Sequence, residues 1–194
     1  MIPNAAKQPP RLLVIRTREL RLEPLVEAHA NSLFRGLRSD ALYEFIGESA
    51  PESVEALATR FRRLETRVSP DGHESWLNWA IRSLDSREYV GVVQATVHPD
   101  RSAHIAYILF PEAWGRGYAR QAVHALIHYL QFERALMSVR ATVDVRNRRS
   151  IALLERLGFA RVALRQNAEV IRGVPSDEFD YFLLLDGPPF STLQ

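Results

Sequence analysis

Two short segments of the chain carry residue types and spacings that could bind an anion. The first is a glycine-bearing turn, Trp114-Gly115-Arg116-Gly117-Tyr118-Ala119, and the second is a later segment that begins Asn147-Arg-Arg-Ser150. Each has the pattern of a helix start, where backbone N–H groups lack helical partners and the helix dipole favours negative charge. Two such starts in one small chain predict a ligand that carries phosphate.

Taken singly, each segment has a simpler explanation. A Gly-x-Gly turn before a helix is often a plain connection, and this one lacks both the third glycine of a dinucleotide fingerprint and the Gly-Lys-Ser/Thr of a P-loop. Asn147 and Ser150 have the separation expected of a helix cap. The combination of the two segments is what favours a binding site.

Length and composition restrict the class of protein. The 194 residues, 46% of them hydrophobic, can bury a full core, and we expect a single domain over residues 11–187, with a flexible tail at 1–10 and a second tail at 188–194. No cysteine is present, which excludes disulfides, thiolate metal ligands and a cysteine nucleophile, and fits a cytoplasmic location. No apolar run approaches the roughly 18 residues of a membrane span, and residues 1–10 lack the apolar segment of a signal peptide.

The charge pattern argues against a nucleic-acid partner. The 25 basic and 23 acidic residues interleave along the chain, and the formal net charge is only +2. Lys7 is the only lysine, so a catalytic Schiff base is not expected. Nearly all positive charge is arginine, which suits phosphate recognition.

Hydrophobic periodicity predicts a mixed α/β fold. A first strand or bent strand pair spans 12–22, and Pro24 stands where helices often start. Helices are then predicted at 24–37 and 40–45 and after a cap at Ser49-Ala-Pro51, followed by an antiparallel meander of strands at 76–82, 89–97 and 104–110. A helix at 117–132 joins parallel strands, the second at 138–145. A helix at 148–157 and strands at 160–169 and 179–185 complete the chain.

The two anion-binding segments together resemble the acetyl-coenzyme A signature of the GCN-related N-acetyltransferases (GNAT). The matching pattern is Trp-Gly-Arg-Gly-Tyr-Ala followed by Asn-x-x-Ser-x-x-x-Leu-x-x-x-Gly-Phe, which ends at Phe159. Residues 17–25 and 103–109 are similar to two strands of the RimJ/RimL branch, which acetylates protein N-termini. The resemblance covers most of the chain. It implies a central, mostly antiparallel sheet of about seven strands, splayed between the fourth and fifth and flanked by helices.

The resemblance also implies which residues hold the donor, acetyl-coenzyme A. Asn147 and Ser150 would contact the pantetheine arm, and no metal is implied. Residues 108–110 would pair with the arm as an added strand does, and the pyrophosphate would lie on backbone groups of the glycine turn. The residues concerned are Ile108, Leu109 and Phe110 on the strand, and Gly115, Arg116, Gly117, Tyr118, Ala119 and Arg120 on the turn.

The chemistry implied is direct acyl transfer, in which a base takes the proton of an attacking amine and an acid assists the departing thiolate. The candidate base is Glu169, because its surroundings are similar to the stretch of RimL enzymes that carries a proposed catalytic glutamate. Ser150 takes the acid role. His104 is the rival base, since the ordinary histidine pKa of about 6.5 suits proton transfer near neutrality. Without the resemblance, Glu169 would be interpreted as a solvated strand-end carboxylate.

Two positions depart from the family pattern. The RimJ/RimL branch commonly has an acidic residue followed by Ile-Gly-Tyr, whereas this chain has His104-Ile-Ala-Tyr107. The tyrosine that many family members place four residues before Gly-Phe as general acid is Leu154 here. Ser150, Tyr107 or a bound water would then have to act in its place.

The acceptor remains open at this stage. A protein N-terminus and a small amine, such as an amino sugar, a polyamine or an antibiotic, are both compatible with the donor residues, as are a monomer and a homodimer. By family analogy, residues 40–68 and 172–178 would wall the acceptor site. A noncatalytic acyl-coenzyme A sensor is a further hypothesis, and an oxidoreductase is disfavoured because no acidic ribose-binding residue follows the turn. Side chains that could attract a cationic amine are Tyr43, Glu44, Glu48, Asp177 and Glu178.

Overall fold

The computed structural model describes residues 11–185. The predicted tails, and the predicted end of the domain at 187, lie outside the described residues. This part of the chain forms eight strands and four α-helices. The strands are β1 (Ile15–Arg16), β2 (Leu20–Pro24), β3 (Ser75–Ser83), β4 (Tyr89–Val97), β5 (Ser102–Leu109), β6 (Ser138–Asp144), β7 (Ala160–Ile171) and β8 (Val174–Leu184), and the helices are α1 (His29–Leu37), α2 (Val54–Glu65), α3 (Tyr118–Phe132) and α4 (Arg148–Arg156).

All eight strands belong to one sheet in the order β1-β2-β3-β4-β5-β6-β8-β7. Every neighbouring pair is antiparallel except β5 and β6, which are joined by the crossover helix α3 and run parallel. The predicted mixed and mostly antiparallel sheet is therefore confirmed. The count is eight because the opening segment is a pair of strands and not one.

The parallel pair is hydrogen-bonded only at its beginning. Ser102, Ala103 and His104 of β5 pair with residues 138–140 of β6, and beyond them the two strands separate. Each strand continues after this point, β5 to Leu109 and β6 to Asp144. The predicted splay is thus confirmed and lies between β5 and β6.

The sheet separates two hydrophobic cores. One core lies on the side of α3 and α4 and includes Leu126, Leu130 and Leu154. The other lies on the side of α1 and α2 and includes Leu33, Phe61 and Phe110. Apolar residues recur at three and four along each helix, so each buries one stripe against the sheet. None of the helices in residues 11–185 is long and apolar enough to cross a bilayer.

Two predicted helix starts were wrong. Pro24 is the last residue of β2 and pairs with Trp79, and α1 begins only at His29. A strand end tolerates proline because the chain leaves the ladder there. Helix α2 is capped not by Ser49 but by Ser53, whose side chain accepts a hydrogen bond from the N–H of Ala56 at 3.1 Å.

Candidate active site

The separation of β5 from β6 opens a cavity of about 230 Å³ between the two strands. Residues 105–108 of β5 and 141–144 of β6 form its sides, and Asn147 and Ser150 of α4 lie at one end. Apolar residues of α1, α2 and the segments before and after α1 form another wall. These include Leu25, Leu37, Phe45, Leu57 and Phe61.

The backbone of β5 is open on the side that faces the cavity. The N–H of Phe110 donates to the carbonyl of Val90 at 2.8 Å, so Phe110 and alternate residues before it are bonded to β4. By the same alternation, backbone groups of Tyr107 and Leu109 point toward β6, which has already separated. Of the three residues predicted to pair with a pantetheine arm, only Leu109 has backbone groups that point toward the cavity. Tyr107, which was not among the three, has the same backbone orientation. Ile108 contributes its side chain to the wall.

The glycine turn leads into α3 as the sequence predicts. Gly115 and Gly117 both have φ +75°, a conformation that favours glycine, and Gly117 is the cap residue of the helix. The first helical bond is donated by Gln121 to the carbonyl of Gly117 at 3.1 Å. Within residues 11–185, no backbone carbonyl pairs with the N–H groups of residues 115–120. With the exposed side chains of Arg116 and Arg120 beside them, these N–H groups can receive an anion.

Trp114 links the glycine turn to both β5 and α4. Its indole N–H donates to the carbonyl of Leu109 at 2.6 Å. The guanidinium of Arg149 lies 4.5 Å from the centre of its ring, within the range of a cation–π interaction. The starts of α3 and α4 therefore lie on the same side of the open strand edge. One ligand could contact both.

The start of α4 is capped by Asn147. Its side-chain oxygen accepts a hydrogen bond from the N–H of Ser150 at 3.1 Å, so the two residues do form the helix cap that their spacing predicts. The cap uses only the oxygen, which leaves the amide NH₂ group of Asn147 to donate elsewhere. Because both residues also line the cavity, capping and ligand binding are compatible.

Tyr107 contributes a buried hydroxyl to the cavity wall. Within the described part of the chain, its oxygen makes no hydrogen bond. Burial raises the pKa of Tyr107 to about 12, and the nearby Ser150 hydroxyl lowers it only in part. An unpaired buried hydroxyl costs about 1–3 kcal/mol. Leu154, at the position of the expected tyrosine, is 1% exposed and supplies no polar group.

Acidic side chains line the cavity where β6, β8 and β7 meet. Asp144 pairs with Glu178 in the β6–β8 register, and Arg165 of β7 lies opposite and binds Glu178 at 2.7 Å. Burial raises the pKa of Glu178. The neighbouring carboxylates raise it further, whereas Arg165 lowers it in part. Burial also raises the pKa of Asp144, but hydrogen bonds from Arg146 and Ser176 outweigh it and leave that pKa below its ordinary value.

Glu169 reaches the same cavity from β7. The residue is exposed, and one carboxylate oxygen accepts a hydrogen bond from the N–H of Val170 at 3.0 Å. Its carboxylate lies against the backbone of Gly47, in the segment between α1 and α2. The predicted base thus stands at the mouth of the cavity, beside the wall formed by that segment.

His104 lies outside the cavity lining. Its Nε2 is 3.1 Å from the hydroxyl of Thr142, which lines the cavity and donates to Asp180 at 3.3 Å. Burial lowers the pKa of His104, so the ring is neutral near pH 7. The structure therefore brings Glu169, Ser150 and Asn147 to one cavity, whereas His104 approaches it only through Thr142.

The remaining predicted acceptor residues divide into two groups. Tyr43 and Glu48 line the cavity, where the Tyr43 hydroxyl donates to the carbonyl of Leu37 at 2.7 Å. Glu44 and Asp177 are not in the lining, and Asp177 instead accepts a hydrogen bond from the N–H of Asn167. In residues 11–185, no group of three or more histidine, aspartate or glutamate side chains is arranged to hold a metal ion.

Sequence reasoning missed three features of this site. It did not assign a place to Gly47, gave Glu178 only an electrostatic role, and named Tyr107 as one of several substitutes for an acid. The positions of all three depend on strand register and on a contact between distant segments. The alternation of apolar and polar residues in β8 was the only signal that could have placed Glu178 on the cavity side.

Comparison with known proteins agrees with this geometry. Residues 19–160, nearly three quarters of the chain, match the family model described as the acetyltransferase (GNAT) domain. A relative from Bacillus subtilis (strain 168), the uncharacterized N-acetyltransferase YoaA, is 23% identical over 173 residues, which cover 88% of this chain and 96% of the relative.

Two solved structures share the fold. RimL, a ribosomal L7/L12 alpha-N-protein acetyltransferase in complex with coenzyme A, superposes with a TM-score of 0.81 at 21% identity, over 91% of this chain and 100% of that one. Spermidine N-acetyltransferase from Vibrio cholerae, in complex with coenzyme A and spermine, gives a TM-score of 0.75 at 19% identity, over 87% and 96% of the two chains. At these identities the likeness establishes the architecture.

Proposed function

Since this chain belongs to the acetyltransferase (GNAT) domain family and is an acetyl-coenzyme A-dependent acyltransferase, we propose that it acetylates the α-amine of a protein or peptide, as the RimJ/RimL branch does. The observation that carries the proposal is the open edge of β5. It lies between the start of α3, where the N–H groups of residues 115–120 have no backbone carbonyl partner in the described part of the chain, and the start of α4, and it ends at a cavity with carboxylates on its far side.

The donor fits the side of the cavity formed by α3 and α4. The pyrophosphate would be held by N–H groups of residues 115–120 and by Arg116 and Arg120. The amide groups of the pantetheine arm would pair with the open backbone of Tyr107, with the N–H of Leu109 and with the NH₂ group of Asn147. The thioester would then lie where β5 and β6 part.

The reaction is a direct displacement at the thioester carbonyl. The bound ammonium first loses one proton to solvent, the neutral amine nitrogen then forms a bond to the carbonyl carbon, the C–S bond breaks, and its electron pair stays on sulfur. The Glu169 carboxylate, as general base, takes the second proton from that nitrogen as the N–C bond forms. A backbone N–H on the open edge of β5 stabilises the developing oxyanion. Since no enzyme-bound acyl intermediate is formed, the absence of cysteine from the sequence is no obstacle.

The acceptor side of the cavity combines charge with apolar surface, which favours a peptide. Carboxylates of Glu169, Glu178 and Asp144 attract the cationic amine. The opposite wall, which includes Leu37, Leu57 and Phe61, suits the side chain of a first residue or the carbon chain of an amine.

A small-molecule amine is the second candidate. A polyamine would be attracted by the same carboxylates, and the fold is shared with a spermidine N-acetyltransferase. The apolar wall weighs against it, because further cationic groups of a polyamine would lie on that wall without partners. A noncatalytic sensor would bind the donor but release no coenzyme A.

An acceptor panel distinguishes these candidates. Release of free coenzyme A from acetyl-coenzyme A would be measured with peptides that differ in their first residue, with polyamines and with amino sugars. We expect the largest kcat/KM for a peptide with a free N-terminus, and none for the same peptide blocked by acetylation. Faster turnover of spermidine or an amino sugar than of any peptide would assign the second function, and donor binding without release would indicate a sensor.

The choice of base is tested by substitution. Glu169→Gln should lower kcat by about a hundredfold or more and leave the Kd of acetyl-coenzyme A unchanged, because the carboxylate lies on the acceptor side. His104→Ala should retain most of the activity. The reverse pattern would transfer the role of base to His104, acting through Thr142.

A further inference from the structure

The hydroxyl of Tyr107 is a buried polar group without a hydrogen bond in the described part of the chain. Its oxygen has almost no contact with solvent and makes no hydrogen bond within residues 11–185. Buried hydroxyls are nearly always paired, and an unpaired one in a binding cavity indicates a partner that arrives with the ligand. The surrounding cavity is large enough to admit such a group.

The position of Tyr107 restricts what that partner is. The residue lies on β5 beyond the last pairing with β6, so it borders the gap between the two strands. Its side chain packs on the core beneath α3 and α4, the side on which Asn147 and Ser150 line the cavity. Glu169 and Glu178 approach the same cavity from β7 and β8. The hydroxyl is therefore on the donor side of the reacting centre and the carboxylates are on the acceptor side.

Leu154 explains why another hydroxyl is needed here. It is fully buried, lines the same cavity and has no hydrogen-bonding group. The sulfur of the donor gains a full negative charge when the C–S bond breaks, and a buried thiolate without a hydrogen bond is costly. Residues 105–108 of β5 supply one unpaired side-chain donor to this region, the phenol of Tyr107.

We propose that Tyr107 is a catalytic residue whose hydroxyl donates a hydrogen bond to the sulfur of coenzyme A as the thiolate departs. The inference rests on the proposed function, since it requires the thioester to lie between β5 and β6. In the step concerned, the C–S bond breaks, the electron pair stays on sulfur and the phenol keeps its proton. The thiolate takes up a proton from water after release.

The proton stays on the phenol because of the relative acidities of the two groups. Burial raises the pKa of Tyr107 to about 12, whereas an alkyl thiol such as cysteine has a pKa of about 8.5. Full transfer from the phenol to the thiolate is thus uphill by several pKa units. A phenol with so high a pKa remains protonated at neutral pH, which is the state in which it can donate.

The first test is Tyr107→Phe, which removes the hydroxyl and keeps the ring. We expect kcat to fall about tenfold to a hundredfold, the effect of one hydrogen bond to a charged group, with little change in the Kd of acetyl-coenzyme A. The thermal midpoint should not fall, because the hydroxyl has no partner to lose. Tyr129→Phe is the matched control: it removes a hydroxyl from α3, where the ring packs edge-on against Trp79 in the core, and should keep wild-type turnover.

The second test does not depend on the acceptor. Coenzyme A bound to the enzyme is titrated with base while the ultraviolet absorbance of its thiolate is followed. In the wild type, the hydrogen bond should hold the thiol pKa lower than in Tyr107→Phe by about one to two units. Desulfo-coenzyme A, which has no sulfur, should bind wild type and variant equally.

The outcomes separate this inference from the function on which it rests. Wild-type turnover and an unshifted thiol titration in Tyr107→Phe would overturn the role of Tyr107, while the measured binding of coenzyme A would still support the donor site. A shifted titration in Ser150→Ala but not in Tyr107→Phe would also overturn it, in favour of Ser150. If the wild type bound no coenzyme A, the proposed function itself would fail.

Discussion

Glu169 and Gly47 are in contact although they lie far apart in the sequence. A Cβ atom placed on Gly47 would lie 2.5 Å from Cδ of Glu169 and 2.7 Å from its Oε1. Gly47 does not have a positive φ, so its backbone would accept alanine without strain. The requirement for glycine at position 47 is therefore steric: it makes room for the carboxylate.

The contact predicts that Gly47→Ala lowers activity without lowering stability. Alanine should push the Glu169 carboxylate out of place, and a displacement of about 1 Å can cost about a hundredfold in rate. Glu169 is exposed and can turn into solvent, so the free energy of unfolding should change by less than about 0.5 kcal/mol. Steady-state kinetics and urea unfolding would measure the two effects.

A double-mutant cycle provides the control for this prediction. If Gly47 acts only through the carboxylate, adding Gly47→Ala to Glu169→Gln should cause little further loss of kcat. Additive losses would contradict the positioning role and would indicate that the segment around Gly47 affects the site in another way.

His104 predicts a dependence of stability on pH. Burial disfavours the charged ring and lowers its pKa below 6.5, the ordinary value; His98, Arg165 and Arg140 add to the shift, and Asp180 opposes it. As pH falls below 6.5, the unfolded state therefore binds a proton before the folded state does. The stability contributed by the neutral ring is present above that pH and is lost below it.

The corresponding variant is His104→Gln, whose amide can keep the hydrogen bond to Thr142. The wild type should lose more unfolding free energy than the variant between pH values of about 7.5 and about 5.5. Urea unfolding at the two pH values would measure the difference. Equal losses in the two proteins would show that the folded and unfolded states hold the His104 proton equally well.

Residue identity was sufficient to predict some of the site and insufficient for the rest. The Asn147 cap and the two positive-φ glycines could be predicted, because capping and turn chemistry are local in the chain. The contact of Gly47 with Glu169 and the unpaired hydroxyl of Tyr107 could not, because both arise from tertiary packing. The predicted pairing at residues 108–110 took no account of which strand edge the backbone groups of each residue face.

At the scale of single elements, α4 combines two tasks at its first turn. The helix has nine residues, so its own hydrogen bonds give it little stability and its cap matters. Asn147 caps it with the side-chain oxygen and lines the cavity, where its NH₂ group can donate to a ligand. The two tasks use different atoms of one side chain and can be separated by substitution.

Two substitutions of Asn147 should therefore have different effects. Asn147→Ala should lose about 1 kcal/mol of stability with the cap and should also weaken acetyl-coenzyme A binding. Asn147→Asp preserves the capping oxygen and should keep stability, but it replaces the NH₂ donor with negative charge and should weaken donor binding at least as much. Thermal unfolding and calorimetric titration would measure the two properties. Wild-type affinity in Asn147→Asp would restrict Asn147 to capping.

Elements were predicted well where a periodic pattern was long and poorly where a start depended on one residue. The apolar stripe of α3 and the meander β3–β5 are within a few residues of their predicted ranges. Pro24 was placed in a helix because proline suits a first helical turn, yet its pairing with Trp79 places it in β2. The competition between a local preference and a strand partner cannot be judged without knowing the sheet.

At the scale of the whole molecule, the splay between β5 and β6 connects the two cores to one reaction centre. One core supports α3 and α4, which carry the proposed donor-binding groups, and the other supports the apolar wall proposed for the acceptor. Because the two strands part after three paired residues, the gap needs no separate domain or lid to create it. A ligand that fills the gap would join both sides of the sheet and should stabilise the entire fold.

The stabilisation can be estimated and measured. At a concentration of a hundred times its Kd, a ligand that binds only the folded state adds about 2.7 kcal/mol. For a domain of this size, 1 kcal/mol shifts the thermal midpoint by about 2–4 °C, so acetyl-coenzyme A should raise it by roughly 5–11 °C. The shift should shrink with added salt, because phosphates and arginines contribute to binding.

A matched variant connects this shift to the glycine turn. Gly117 has φ +75° and open space around the position of a Cβ, so Gly117→Ala strains the backbone without a steric clash. The variant should show a smaller shift at the same ligand concentration, because the free N–H groups at the start of α3 would be turned away from the pyrophosphate. An equal shift in the variant would place the donor elsewhere, and no shift in the wild type would refute a donor site between β5 and β6.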